Sequence, residues 1–126
     1  MRIVWSPLAI ERAAAEAAFI SADKPEAARN WLNGLFAAVD RLAAFPLSGK
    51  AVPEISLAGY RQLTYKSHRV VYQVRGDIVA IVTVRRFKQQ LPPSDYIPFV
   101  VRDRARRSSV RITTSIRLPS RRIRNL

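Results

Sequence analysis

The spacing of hydrophobic positions changes several times along the chain, and each change marks an element. Met1-Arg-Ile-Val-Trp5 alternates and is rich in β-prone residues, which predicts a short first strand. Ser6-Pro7 sets a helix start, with Ser at N-cap and Pro at N1, where its missing N–H removes no helix bond. The helix is expected to run to about Ser21, with Leu8, Ala15, Phe19 and neighbouring alanines as its apolar face. So many alanines predict close approach to another helix, because small side chains shorten the interaxial distance. Asp23-Lys-Pro-Glu26 opens that second helix. Ala28, Trp31, Leu32, Leu35, Val39 and Leu42 recur at three- and four-residue steps, with Arg29, Asn33, Asp40 and Arg41 off the stripe. Pro46 is expected to end it by disfavouring a helical Phe45. A joint this short makes the two helices antiparallel neighbours.

After the turn at Leu47–Lys50 the period becomes two. Strands are predicted weakly over 51–55, and then over 60–65, 69–75 and 78–85, joined by Lys66-Ser67-His68 and by Gly76-Asp77. Ile78 to Val84 is apolar on both faces, as an inner strand requires. The predicted class is α+β, with an N-terminal strand and a helical hairpin packed on an antiparallel sheet, in the order β-α-α-β-β-β. This unit ends near residue 91. Pro92, Pro93 and Pro98 break the pattern, and residues 92–101 are expected to dock as an extended segment. Residues 102–126 alternate basic and apolar residues without a helical period, which predicts a disordered or partner-dependent tail.

Composition narrows the class. The 126 residues suit one domain, and an apolar fraction of 48% suits a globular one. Without cysteine there is no disulfide framework and no cysteine-ligated metal. No stretch resembles a signal peptide or a membrane span, so the expected setting is the cytoplasm. The net charge of +13 divides unevenly. Nine arginines and one acid give residues 102–126 a charge of +8, leaving +5 for residues 1–101. Such a tail could bind nucleic acid as a basic arm, but it has no lysine or aromatic residue, and a passive or non-native extension explains it better.

The order of these elements can be matched to residues. Trp5-Ser-Pro-Leu-Ala9 and Asp23-Lys-Pro-Glu-Ala-Ala28 open the helices. Phe45-Pro-Leu-Ser-Gly-Lys50 and Val52-Pro-Glu54 follow them, and Tyr60-Arg-Gln-Leu63 and His68-Arg-Val-Val-Tyr72 lie on the sheet. Over residues 1–91 this resembles the RelE/ParE superfamily of toxins from type II toxin–antitoxin modules, in its ParE-like branch. The resemblance implies a toxin bound and neutralised by a small ParD-like antitoxin encoded beside it. It implies DNA gyrase as the target of a ParE-like member, inhibited by binding, and ribosome-bound mRNA as that of a RelE-like endoribonuclease.

The residues themselves bear on that choice. Metal-free RNA cleavage needs proton-transfer groups as well as cations for the phosphate. Arg61, Lys66, Arg69, Arg85 and Arg86 come from neighbouring strands and could form one cluster. Arg61, Arg69, Arg85 and Arg86 are the candidate functional surface, and Lys66 and His68 would join a phosphate site in the nuclease alternative. The lone histidine, His68, is expected to be an exposed turn residue, and Glu54 is the only nearby carboxylate before Asp77 in sequence. Where family nucleases often place an acid, histidine or tyrosine, this chain has Arg85-Arg86-Phe87-Lys88. Trp5, Trp31, Phe36 and Phe45 are expected in the core. Tyr60, Tyr65 and Tyr72 could stack on bases or pack across strands. No glycine-rich phosphate loop or metal-ligand cluster occurs, so no cofactor is expected. Binding is favoured over cutting, and direct binding of nucleic acid belongs only to the alternative in which the basic tail acts.

Overall fold

The computed structural model describes residues 1–97. Strand β1 (Arg2–Trp5) leads into helices α1 (Pro7–Ser21) and α2 (Pro25–Asp40), and a 3-10 turn at Arg41–Ala43 follows. Strands β2 (Lys50–Ala51), β3 (Tyr60–Tyr65), β4 (His68–Arg75) and β5 (Ile78–Arg86) complete a five-stranded sheet in the order β1-β5-β4-β3-β2. Neighbours from β5 to β2 are antiparallel, and β1 lies parallel to β5.

Ser6 makes the sharp passage from β1 to α1. Its hydroxyl accepts the Ala9 N–H at 3.0 Å and donates to the Val82 carbonyl at 2.7 Å, so one side chain caps the helix and ties it to the central strand. The buried stripe of α1 is Ala9, Ala13 and Ala17. The expected face was misplaced: Ala15 is exposed, and Phe19 is 67% exposed. Alanine contributes little to a hydrophobic pattern, so the one large residue drew the reading toward the wrong side. Helix α2 buries Ala28, Trp31, Leu35 and Val39 of its predicted stripe and leaves Leu32 half-buried, while Phe36 lies in the core as expected. It ends at Asp40, before the proline, and Phe45 is 65% exposed instead of in the core. Chain exit through the 3-10 turn carries that ring outward.

The sheet is buried on both faces. Under the helices, Trp5 meets Phe36 edge-on at 5.4 Å, in one core with Leu35, Val39, Val70, Tyr72 and Ile81. The opposite face carries a smaller core of Val52, Ile55, Tyr60, Val71, Val82 and Leu91. This explains why β5 is apolar on both sides. A β-bulge at Val71/Tyr72 leaves Val82 without a register partner, since Val71 pairs with Thr83 and Tyr72 with Ile81. The weak strand expected over 51–55 shrinks to Lys50–Ala51, and the β3–β4 turn is only Lys66-Ser67, because His68 already pairs with Tyr65.

Residues 93–97 form a helical turn where an extended segment was expected. The rest of that segment and the arginine-rich tail lie outside the described residues.

Two glycines permit close contacts. A β-carbon on Gly34 would collide with the Tyr65 hydroxyl, which donates to the Trp31 carbonyl at 2.8 Å. One on Gly49 would strike the Tyr72 hydroxyl and the Gln62 carbonyl. Tyr72 donates to Pro46 at 2.8 Å and accepts from the Gly49 N–H at 2.9 Å, pinning this turn to the sheet.

Candidate functional site

Strand alternation separates the four nominated arginines. Arg69 and Arg85 are cross-strand partners, so they share one face. His68 and Arg86 are the adjacent pair and point to the helix face, as does Arg61 beside Tyr72. The single cluster expected of these residues does not form.

Each arginine instead meets a protein acceptor. Arg61 donates to the carbonyls of Gly49 at 2.9 Å and Leu47 at 3.3 Å, bracing the turn after α2. Arg69, only 6% exposed, donates to both Glu54 oxygens, at 2.6 and 3.1 Å, and to Gln62 at 3.1 Å. This fork–carboxylate pair holds the Glu54 carboxyl below the usual range, outweighing the opposing effect of burial. Arg85 donates twice to Asp95, at 2.8 and 3.2 Å. Arg86 donates to one Glu16 oxygen at 2.7 and 3.1 Å, and its guanidinium lies 5.0 Å from the Phe19 ring centre.

Two carboxylates that organise these arginines escaped the sequence reading. Asp95 is 4% exposed and is also held by Arg12 from α1 and by the Thr83 hydroxyl, both at 3.0 Å. Burial pushes its carboxyl upward, but Arg85, Thr83 and Arg12 together bring it below the ordinary value. Glu16 stands on α1, far from the sheet in sequence. Its position three residues after buried Ala13 places it at the margin of the helix's inner face, the one signal that could have nominated it.

Glu16, His68 and Arg86 meet in a cleft of about 700 Å³ between the ends of the helices, the β3–β4 turn and the end of β5. Ile20 and Trp31 form an apolar wall, and Lys66 and Lys88 bring further cations. His68 is buried, contrary to its expected exposure in the turn, because it is the first paired residue of β4. Its ring sits edge-on to Trp31, with centroids 5.0 Å apart. Nε2 lies 3.2 Å from a Glu16 oxygen, yet the N–H direction misses it, so this is an electrostatic contact without an aligned hydrogen bond. Burial pushes the imidazole below its ordinary 6.5; Glu16 pulls it back without cancelling the effect, and Arg86 lowers it further. The ring is therefore neutral at pH 7, and both nitrogens are sealed from solvent.

The tyrosines resolve toward packing. Tyr72 and Tyr60 are 0% and 5% exposed, while Tyr65 lies against Trp31 and under the Lys66 ammonium. Tyr60 and Tyr72 therefore offer no free ring for a base, and Tyr65 is half-buried. Among the described residues no group of histidines and carboxylates is arranged to hold a metal ion, and no helix is long and apolar enough to cross a membrane.

Comparison with known proteins places this architecture. No curated protein matches the chain in sequence. A solved structure described as the chromosomal ParDE TA system from P. aeruginosa shares the fold, with a TM-score of 0.58 at 21% identity, over 68% of this chain and 95% of that one. The family model for the ParE toxin of type II toxin–antitoxin system, parDE, matches residues 3–91, from the first strand to the last residue of the smaller core. That span takes in α1, α2, β2 to β5 and all of β1 but Arg2, and the chain belongs to the ParE toxin family of type II toxin–antitoxin systems.

Proposed function

We propose that this ParE-family toxin acts by binding DNA gyrase, without cutting RNA, and is neutralised by a ParD-like antitoxin encoded beside it. The commitment of its polar groups to internal partners carries the reading. A metal-free nuclease needs cations free to hold phosphate and a group free to move a proton. Here Arg69, Arg85 and Arg86 face internal carboxylates and Arg61 faces carbonyls. The neutral imidazole of His68 has no solvent-accessible nitrogen. A surface of this kind presents shape and charge more readily than acid–base chemistry. The named pairing in the P. aeruginosa relative supports an antitoxin as partner.

Expression of the chain alone is expected to arrest growth, and co-expression of the adjacent small reading frame to restore it. Transcripts from arrested cells should show no new ribosome-dependent cuts. Such cuts, abolished by Arg61→Ala, would sink the gyrase reading in favour of a RelE-like endoribonuclease. A chain ending at residue 101 should keep toxicity and antitoxin binding. Loss of both on that truncation would move function to the basic tail and to nucleic-acid binding.

A further inference from the structure

We propose that the seat occupied by Asp95 is a binding site for a phosphate dianion, kept shut by the chain's own carboxylate on a strap of residues 92–97. Seat and strap come from different parts of the chain. Arg12 stands on α1, and Thr83 and Arg85 stand on β5, so the donors belong to the body of the domain. The carboxylate arrives from beyond residue 91, where the family match ends.

The donors outmatch what Asp95 brings. Arg12 Nη2 and Arg85 Nη2 donate to one carboxylate oxygen at 3.0 and 3.2 Å, and Arg85 Nε and the Thr83 hydroxyl donate to the other at 2.8 and 3.0 Å. Among the described residues neither guanidinium has another carboxylate within ion-pair distance, so two positive charges share one negative charge. The buried Arg12 Nε–H has no acceptor at all. Arg69, on the same face as Arg85, differs in being matched one to one by Glu54. A phosphate group carries about −1.5 to −2 at neutral pH and three acceptor oxygens, and guanidiniums grip it by paired hydrogen bonds. It fits this set of donors better than a carboxylate does.

The strap is held at few points. Its helical turn, residues 93–97, is far shorter than the roughly 12–15 residues an isolated helix needs. Leu91 roots it in the smaller core, and the Tyr96 ring packs on that core while its hydroxyl donates to the Glu54 carbonyl at 3.3 Å. Pro93, Ser94 and Ile97 are exposed. Such a segment opens locally at a lower free energy than the domain unfolds. Opening lifts Asp95 away and leaves Arg12, Thr83 and Arg85 on α1 and β5. A tethered carboxylate acts at a high effective concentration, so a rival of equal charge gains little against it. A dianion has the second charge as its advantage, and the singly charged phosphodiester of a nucleic-acid backbone does not.

The test titrates the full-length chain with inorganic phosphate against chloride at matched ionic strength, followed by calorimetry and thermal melts. Asp95→Ala, which empties the seat, should bind phosphate about tenfold or more tightly than the wild type, because no closed state competes. Phosphate should also restore part of its lost melting temperature. Asp95→Asn, which fills the seat without charge, should fall between the two. Adding Arg85→Ala to Asp95→Ala should abolish the gain, which separates the seat from arginines elsewhere in the chain. Dimethyl phosphate, a singly charged diester, should bind Asp95→Ala about tenfold or more weakly than phosphate does. Tighter binding of inorganic phosphate than of glyceryl phosphate supports the free ion as ligand, the reverse supports a phosphomonoester, and both support the seat. In the wild type, saturating phosphate should speed exchange of the Asp95 amide, which donates to the Pro92 carbonyl at 2.9 Å, while the amides of β4 and β5 stay protected. If Asp95→Ala does not fold, Asp95→Asn and the wild-type exchange decide by the same criteria. The proposal is overturned if the emptied seat binds phosphate no better than the wild type, if the gain survives Arg85→Ala, if the diester binds as well as the dianion, or if phosphate leaves exchange in the wild-type strap unchanged.

Discussion

Asp95 offers the sharpest structural prediction. It accepts from Thr83, Arg12 and Arg85 at 2.8–3.2 Å and ties the segment after β5 to both α1 and the end of the sheet. Asp95→Ala leaves two guanidiniums and a buried hydroxyl without their acceptor. Breaking one side of a buried charge pair costs about 3–5 kcal/mol. The Arg12 side chain is 34% exposed and can recover water, while Arg85 at 14% recovers less, which points to the low end of that range. The expected loss is about 3 kcal/mol, or a fall in Tm of roughly 12–20 °C for a domain of this size. Arg85→Ala should cost more than Arg12→Ala, in the order of their burial. Urea denaturation followed by tryptophan fluorescence measures this, because Trp5 and Trp31 both lie in the main core. Amide exchange should show early loss of protection around Leu91, which is anchored just before the segment. A change below 1 kcal/mol for Asp95→Ala would refute the claim that this network holds the segment in place.

Three further outcomes follow from the geometry. Gly34→Ala should destabilise by about 1–2 kcal/mol despite alanine's better helix propensity, because the new methyl displaces the Tyr65 hydroxyl; adding Tyr65→Leu should recover most of the loss in thermal melts. Arg69→Ala should cost about 2 kcal/mol by denaturant titration, since Glu54 can rehydrate but a buried fork is lost; a neutral result would mean the pair is decorative. Stability against pH should decline in two stages. His68 has a folded value below its unfolded 6.5, so the unfolded chain takes up protons first, and stability falls as pH drops from about 6.5 toward the folded value. Glu54 and Asp95 are also depressed in the fold, so their contribution is present above about 4 and lost as pH falls further. His68→Gln should remove the first stage only, and a first stage that persists in this variant would show that His68 is not its source.

Most of the fold was legible because its signals are local. Ser6-Pro7 capped α1 as read, and Tyr60–Tyr65 is a strand with the predicted bounds. Misplaced details have common physical causes. Alanine hides which side of α1 is buried, so Phe19 was assigned inward. Phe45 follows a 3-10 turn, so the α-helical period no longer says where it points. The candidate site was less legible. Strand pairing shows that Arg69 and Arg85 share a face while His68 and Arg86 share the other, but pairing depends on a turn of two residues and not three. With the shorter turn, His68 moves from solvent into the wall of a cleft. The carboxylates that match Arg85 and Arg86 come from elements with no sequence link to these arginines, and only tertiary structure brings them together.

Under the proposed function the chain binds gyrase and is silenced by its antitoxin. DNA supercoiling by purified gyrase, with the chain titrated alone and then with equimolar antitoxin, tests it most directly. The expected result is a dose-dependent loss of supercoiling that antitoxin reverses, with mRNA left intact in a parallel ribosome assay. Supercoiling that persists at saturating toxin, alongside cleaved mRNA, would contradict it.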